Sequence, residues 1–482
     1  MPGRRLDQRL VVPVMFVATF FLVVMDGAIT TVALPSIARQ FGVSAAGSDS
    51  VVVVYPVCVG ISIPVSGWLG DRFGSKPVLL AAMGLFTASS VLCGMAGSLS
   101  QLVAYRGLQG LAGGLLTPVV GAMLFRTFTP AERVRASRIM TLPQQIAPSV
   151  APMLGGVLVD GFSWRWVFYV NLPFGAAALL FGLLFLDNPR HGEPSRLDIP
   201  GLLLSAAAMS LLMYGLCEGA QQGWSDPLIT GSLAGGAALL AATVVVELRT
   251  PAPILRLRLF KDALFRDTKV VGLIGMVPFM GAMYAAPLFI QEAQGNTALQ
   301  SGSSTFTEAV GVLLTVQLVA RLYDRVGPRL IIASGLVGVA AVLAVMTATV
   351  DAGTGPWAFR LYMFLLGLGM GAVFMPVTVA SFSTIPKADM GQASTLSSVI
   401  FQFSMAVAPA LVATLLIAGT PAATHIAPPA AYRTVYLVLA VMALVSALFA
   451  LTIHDAPARS TPSGPPAPRR SRRKAVAPSN GA

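Results

Sequence analysis

VVMDGAITTVALPSIARQF, Val23 to Phe41, places a carboxylate where an apolar helix would be expected to exclude one. Between Leu10 and Ala38 the only formal charge is Asp26. About 20 consecutive apolar residues suffice to cross a hydrocarbon core as a helix, and this run supplies them. A carboxylate at the centre of such a helix costs about 2.5–3.5 kcal/mol on insertion scales, so intramembrane acids usually face a cavity and act there. The stretch raises two expectations: a membrane span, and a working acid inside it.

The rest of the chain extends the first expectation. Of 482 residues, 55% are hydrophobic and 11% charged, against roughly 25% charged in a soluble domain. Apolar runs recur along most of the length, and fourteen spans are expected, centred near residues 22, 59, 88, 113, 149, 176, 209, 237, 280, 312, 339, 369, 405 and 442. The first run is too long for a signal peptide and lacks a small-residue cleavage site, so it should stay as the first span. The three cysteines, Cys58, Cys93 and Cys217, lie in or beside apolar runs, which argues against a disulfide framework and against a metal site. His191, His425 and His454 fall in loops or at a span end, and no phosphate-binding loop is found. Neither an enzyme nor a bound cofactor or metal is expected.

The net charge of +12 would suit a nucleic-acid binder, but the placement of the charges excludes it. With the N-terminus inside, 27 of the 32 Lys and Arg fall in inward loops and tails. That bias is an orientation signal, with both termini cytoplasmic. The chain also repeats. GWLGDRFGSKPVLL (Gly67 to Leu80) follows the second span and ARLYDRVGPRLII (Ala320 to Ile332) the tenth, so Asp71-Arg72 and Asp324-Arg325 stand 253 residues apart. The expected plan is an N-terminal six-helix bundle (1–190), an inserted pair of helices (191–267), a C-terminal six-helix bundle (268–455) and a disordered basic tail (456–482). Parallel six-helix repeats build one large class of alternating-access transporters. Glu247 to Lys269 interleaves Leu and Phe with Arg and Lys, which suits a segment lying on the inner leaflet.

Several residues could carry chemistry. Pro35 should end the first helix near Leu34, which puts Asp26 roughly 12 Å below the outer surface, and Arg106 in the fourth span lies roughly 9 Å deep. Acid and base at similar depth suggest one shared polar site, for function or as a static ion pair. Glu308 in the tenth span either faces a central cavity, where it exchanges a proton or pairs with a cationic ligand, or reaches outer water. Gly67, Asp71, Arg72 and Gly74, with the second copy at Asp324 and Arg325, read as a latch in which Asp71 accepts from an Arg or a helix N-terminus. In the fifth span Pro143, Pro148 and Pro152 remove backbone donors, and Gly155-Gly156 permits close helix approach. Gln144 and Gln145 there either contact a ligand or bond the interrupted backbone.

These motifs resemble the major facilitator superfamily, and within it the fourteen-helix drug:proton antiporters of the EmrB/QacA type. MDGAITTVALP, GWLGDRFGSK, YRGLQGLAGG and APMLGG carry the resemblance, with WRWVFYVNLPFG, PILRLRLF and GMGAVFMP beside them. It covers Val11 to His454. It implies proton coupling at Asp26 and Arg106, a conformational latch at Gly67, Asp71, Arg72 and Gly74, and an antiporter helix motif at Pro152, Gly155 and Gly156. Glu308 is the best counterpart of an acid that some relatives use for cationic drugs. The family pattern is departed from at Ala28, Thr31 and Ala151. The function implied is export of lipophilic small molecules against inward-moving protons, as a multidrug pump of the cell membrane. The alternative is a dedicated exporter of a natural metabolite, siderophore or lipid-like molecule. Small molecules, protons and the bilayer are the expected partners, with no nucleic acid and a monomer favoured.

Overall fold

The computed structural model describes residues 6–43, 50–129, 132–188, 197–251, 253–421 and 427–454. Fourteen long helices run through them. The first six are α1 (Gln8–Phe41), α2 (Ser50–Phe73), α3 (Ser75–Met95), α4 (Leu99–Thr127), α5 (Arg133–Gly161) and α6 (Trp166–Phe185, stepped at Val170). A pair follows, α7 (Ile199–Gln222) and α8 (Pro227–Arg249). The last six are α9 (Ala263–Leu288), α10 (Ala298–Val326), α11 (Pro328–Thr349), α12 (Pro356–Ser383), α13 (Met390–Gly419) and α14 (Pro429–Ala450). Thirteen are long and apolar enough to cross a membrane. The other is α5, which has the length, 29 residues, but carries Arg133, Arg135, Arg138, Gln144, Gln145 and Asp160. Helices are the form to expect, because hydrocarbon offers no partner to an unpaired backbone group.

Short polar side chains set the helix starts. Asp198, Asp226 and Asp262 accept backbone N–H bonds in the first turns of α7, α8 and α9. Thr297 and Gln300 form a reciprocal capping box on α10. Pro35, expected to end α1, does not; the helix continues to Phe41 and stops where Gly42 turns left-handed at φ 64°. Asp26 thus lies about 23 Å from the end of α1, deeper than the proline suggested.

The six-helix halves pack alike. The pairs α2–α4, α1–α5, α3–α4 and α3–α6 of the first recur as α10–α12, α9–α13, α11–α12 and α11–α14 of the second. Glycines allow the tightest pairing: Gly110 and Gly114 lie over the carbonyls of Tyr55 and Val59, and Gly367 and Gly371 over those of Glu308 and Val312. The halves meet along two seams, α2 and α4 on α13, and α10 and α12 on α5. The inserted hairpin lies along one of them. In it α7 packs on α2 and α13, and Trp224 Nε1 donates to Thr414 Oγ1 at 2.8 Å.

Gln8 at the start of α1 donates to Phe185 O at the end of α6, and Ile453 beyond α14 packs with Leu264 at the start of α9. Both described chain ends therefore share one face, here the terminal face. There a single apolar cluster unites the halves, with Phe125 of α4 and Phe128 just beyond it in the same cluster as Phe382, Ile385 and Met390. Toward the opposite face the two large clusters stay within one half, around Met25, Ile29 and Phe168 in the first and around Phe289, Phe359 and Tyr432 in the second. A small cluster of Met209, Met213 and Ala406 with Val57 links the halves through α7. The halves are closed against each other at the terminal face.

Two expectations need correction here. The border drawn at 267/268 cuts α9, which starts at Ala263 under the Asp262 cap. The segment from Glu247 to Lys269 does not lie flat on a leaflet: Ile254, Leu255 and Phe265 are buried in the shared cluster and Glu247 is buried at the end of α8. Its alternating pattern serves a folded turn, with Glu247 Oε2 accepting from Leu255 N at 3.1 Å.

Candidate functional site: a buried ion pair beside an inter-half cavity

Asp26 is fully buried in the first half, and Arg106 is 1% exposed. Arg106 Nη1 donates to Asp26 Oδ2 at 2.5 Å. The other carboxylate oxygen, Oδ1, accepts from Gln109 Nε2 at 2.8 Å and from Asn171 Nδ2 at 2.6 Å. Gln109 Oε1 in turn accepts from Arg106 Nη1 at 2.7 Å, and Gln109 and Asn171 both donate to Ser90 Oγ. The guanidinium lies 4.4 Å from the centroid of the Tyr55 ring, and its Nε reaches Val51 O. One carboxylate thereby ties α1 to α4 and α6, whose amide side chains also reach Ser90 of α3, and its charge is met by three donors. Both carboxylate oxygens are engaged, while Asn171 Oδ1 and the Tyr55 hydroxyl are buried without a partner.

The pair is thus embedded in a wider hydrogen-bond network, and removing either partner would leave a buried charge uncompensated.

The sequence brought Asp26 and Arg106 together, and the structure places them in contact. It missed Gln109 and Asn171. Gln109 stands three residues after Arg106 and so shares its helix face, and Asn171 lies within the quoted block WRWVFYVNLPFG. Both are polar residues in apolar spans, which was the available signal.

At the terminal face the latch has a different composition from the one expected. Asp71 Oδ1 accepts from Arg126 Nη2 at 2.8 Å, and Arg126 Nε donates to Lys387 O in the second half. Asp71 also lies beside Gly391 in the first turn of α13, the N-terminal placement expected for it. A Cβ on Gly67 would press on Thr395 of α13, while Ser66 Oγ stands 3.1 Å from Thr395 Oγ1. Gly74 holds a left-handed turn at φ 94°. Arg72, Asp324 and Arg325 are exposed and, among the described residues, make no ion pair. Asp324 and Arg325 thus do not repeat the pairing that Asp71 makes in the first copy. Arg126, counted from sequence as a loop charge, is the cation that pairs with Asp71.

Between the halves lies a cavity of about 140 Å³, space for a small organic molecule and not for a polymer. Its wall comes from α1, α4 and α5 and from the matching α9, α12 and α13. Phe125 and Phe382, stacked with centroids 4.2 Å apart, belong to the apolar cluster below it. Glu308 is not part of the wall. It is 1% exposed, packed where α10 meets α12, and its Oε1 has no partner. The carboxylate expected to contact cargo therefore stands apart from this cavity, on a helix whose backbone at Glu308 lies against Gly367 of α12. Gly155 of α5 abuts Ile29 and Val32 of α1, whereas Gly156 faces open space. The side chains of Gln144, Gln145 and Pro152 lie outside the described residues.

Comparison with known proteins accords with this architecture. The family model described as the Major Facilitator Superfamily matches residues 16–409 and, a second time, 270–480. The chain is 30% identical over 404 residues to the uncharacterized MFS-type transporter YhcA of Bacillus subtilis (strain 168), covering 83% of this chain and 75% of that one. It is 31% identical over 408 residues to the putative multidrug resistance protein MdtD of Salmonella heidelberg (strain SL476), covering 82% and 84%. Among solved structures, the human organic anion transporter MFSD10 aligns with a TM-score of 0.66 over 93% of this chain and 100% of its own, and the proton:xylose symporter XylE with 0.64 over 94% and 97%. Both are 15% identical and share the fold. Two matching six-helix halves with an inserted pair, a cavity between the halves and these relatives lead to one conclusion: the chain is a multi-pass membrane protein of small-molecule transport, and it belongs to the Major Facilitator Superfamily.

Proposed function

We propose that this protein is a proton-driven exporter of lipophilic small molecules, exchanging inward-moving protons for outward-moving cargo. The observation that carries the reading is the buried Asp26–Arg106 pair with Gln109 and Asn171, a titratable joint between four helices of one half. The similarity to MdtD, a putative multidrug resistance protein, supports efflux as the direction and drug-like molecules as the cargo.

The terminal face is cytoplasmic in this reading, because the basic loops and the chain ends lie on it. The closed latch at Asp71, Arg126 and Lys387 then corresponds to a conformation facing outward. A proton arriving from outside neutralises Asp26 and loosens α1 from α4. The first half rocks, the latch and the Phe125–Phe382 stack part, and cargo enters the cavity from the inner side. Release of the proton inward reforms the ion pair and returns the site outward with its cargo. Each charge moved across the membrane supplies about 2.3 kcal/mol per 100 mV, before any pH gradient is added.

The test is transport by the purified full-length chain in proteoliposomes under an imposed pH gradient. Cargo movement should follow the gradient and collapse with an uncoupler. Transport indifferent to the uncoupler, or full coupling in Asp26→Asn, would refute the mechanism.

A further inference from the structure

Lys269 was counted from sequence among the loop charges, and the structure places it elsewhere. It stands in the second turn of α9, about 9 Å along the helix from Ala263, and is 8% exposed. Its side chain does not snorkel to the nearby face as a lysine near a helix end ordinarily does. It lines the cavity between the halves, with Nζ 5.1 Å from the centroid of the Phe382 ring and 5.3 Å from that of Phe265. Among the residues that line the cavity it is the only one with a formal charge. Among the described residues it makes no ion pair.

The rest of the wall is of two kinds. Met276, Met370, Phe374 and Phe401 give it apolar surface, and Ser394, Ser397, Ser398 and Thr378 give it hydroxyls. An ammonium group held in such a place, without a carboxylate, lacks a counter-charge. The two rings offer partial compensation, since a cation over an aromatic face is attracted to it. A second source is a ligand that carries the missing negative charge.

We infer that the cavity binds organic anions, with a carboxylate or sulfonate on Lys269 Nζ and the hydrocarbon body against the methionines and phenylalanines. The inference rests on the exporter reading for its physiological sense, but the binding claim stands on Lys269 and the cavity alone. It sets the charge of the cargo opposite to the one that Glu308 suggested from sequence. The energetics agree with export: an anion leaving a cell whose interior is negative moves down the membrane potential, as does a proton entering. Lys269 also leans on the ring that stacks with Phe125, so a bound anion draws the cation away from the apolar closure between the halves.

The experiment uses two fluorescent probes of equal ring size and opposite charge, 2-naphthalenesulfonate and 2-naphthylmethylammonium. Binding is measured to the full chain in lipid nanodiscs, with empty nanodiscs subtracted, for the native protein, Lys269→Gln and Lys269→Arg. The sulfonate should bind the native protein more tightly than the ammonium probe. Lys269→Gln should weaken sulfonate binding about tenfold or more, the loss expected for one charge-assisted hydrogen bond. Lys269→Arg keeps the charge and should hold binding within about threefold of native, under half the free-energy change of the glutamine variant. This control separates loss of the charge from loss of the fold. Preference for the ammonium probe, equal sulfonate binding in Lys269→Gln, or binding of neither probe by monodisperse protein overturns the inference. Transport in proteoliposomes is a separate arm. Lysine-dependent binding without proton-driven movement would sink the exporter reading and leave this inference intact; proton-driven movement of cationic cargo indifferent to Lys269 would do the reverse.

Discussion

Tyr55 and Glu308 occupy the same place in the two halves. They stand 253 residues apart, the spacing of the two loop motifs, and the carbonyl of each lies beneath a glycine of the helix packed against it, Gly110 for Tyr55 and Gly367 for Glu308. In the first half the Tyr55 ring supports Arg106. In the second the position holds a carboxylate with one unpartnered oxygen, and Met363 is the buried residue four before Gly367, where Arg106 stands four before Gly110. The halves share a backbone arrangement and differ in what they bury, so one half carries the ion pair and the other does not.

The first prediction concerns the glycines that make this packing possible. Gly367→Ala would drive a methyl group into the Glu308 carbonyl, and Gly110→Ala one into that of Tyr55. Backbone cannot move aside as a flexible side chain can, so each should cost about 1–3 kcal/mol or more. Gly156→Ala meets nothing within 4 Å and should be neutral or slightly stabilising. Thermal unfolding in detergent, followed by the monodisperse fraction remaining, distinguishes the three. A Gly367→Ala protein as heat-resistant as Gly156→Ala would contradict the close approach.

The second prediction follows from where Glu308 lies. Because the carboxylate is enclosed between α10 and α12 and is absent from the cavity wall, Glu308→Gln should leave the preference among cationic, neutral and anionic cargo unchanged. Any fall in rate should be the same for all three, within about twofold of one another, well below the tenfold that a lost direct charge contact gives. The measurement is an export panel in cells lacking their own pumps. Selective loss of cationic cargo would restore the contact that the sequence suggested.

What the sequence disclosed and what it concealed have a common cause. Asp26 and Arg106 were legible because a charge inside an apolar helix stands out against its neighbours, and the repeated loop motif fixed the two halves. Lys269 and Arg126 were concealed because each lies within a turn or two of a basic loop, where it reads as an orientation charge. Only packing tells a lysine that enters the cavity from one that meets lipid headgroups. Gln109 and Asn171 carry no charge, and their contribution comes from convergence of α4 and α6 on one carboxylate, a tertiary fact. That Asp71 accepts from an arginine was expected, but which arginine was not legible, since the one adjacent in sequence, Arg72, faces solvent and Arg126 arrives from α4.

The third prediction separates those two arginines. Arg126 is 8% exposed and bonds both Asp71 and the Lys387 carbonyl, so it holds α2, α4 and the turn before α13 together. Arg126→Ala and Asp71→Asn should each favour the form open at the terminal face, shifting the equilibrium about tenfold, the effect of a partly buried charged hydrogen bond. Arg72→Ala should not. Spin labels placed on the terminal ends of α4 and α13 would report the distance between the halves. An unchanged distance distribution in Arg126→Ala would remove the latch.

The fourth prediction concerns the pair at the centre of the first half. Asp26→Asn preserves the shape of the side chain and removes its charge, leaving the Arg106 cation buried beneath Tyr55 with neutral acceptors alone, Gln109 Oε1, Val51 O and the new amide oxygen. Breaking a buried pair by removing one partner costs about 3–5 kcal/mol, so this protein should be less stable than native. Arg106→Gln alone leaves Asp26 with its two amide donors and no cation, again a buried charge without its partner. The double variant, Asp26→Asn with Arg106→Gln, buries no net charge and should recover much of the stability lost by the first change. None of the three should couple transport to a pH gradient, because coupling needs a group that gains and loses a proton and a partner that responds. Downhill exchange of cargo across proteoliposomes should persist in the double variant, since the cavity wall contains neither residue. Recovery of stability without recovery of coupling separates a working joint from a static brace. A double variant that still drives cargo against its gradient would show the pair to be only a brace.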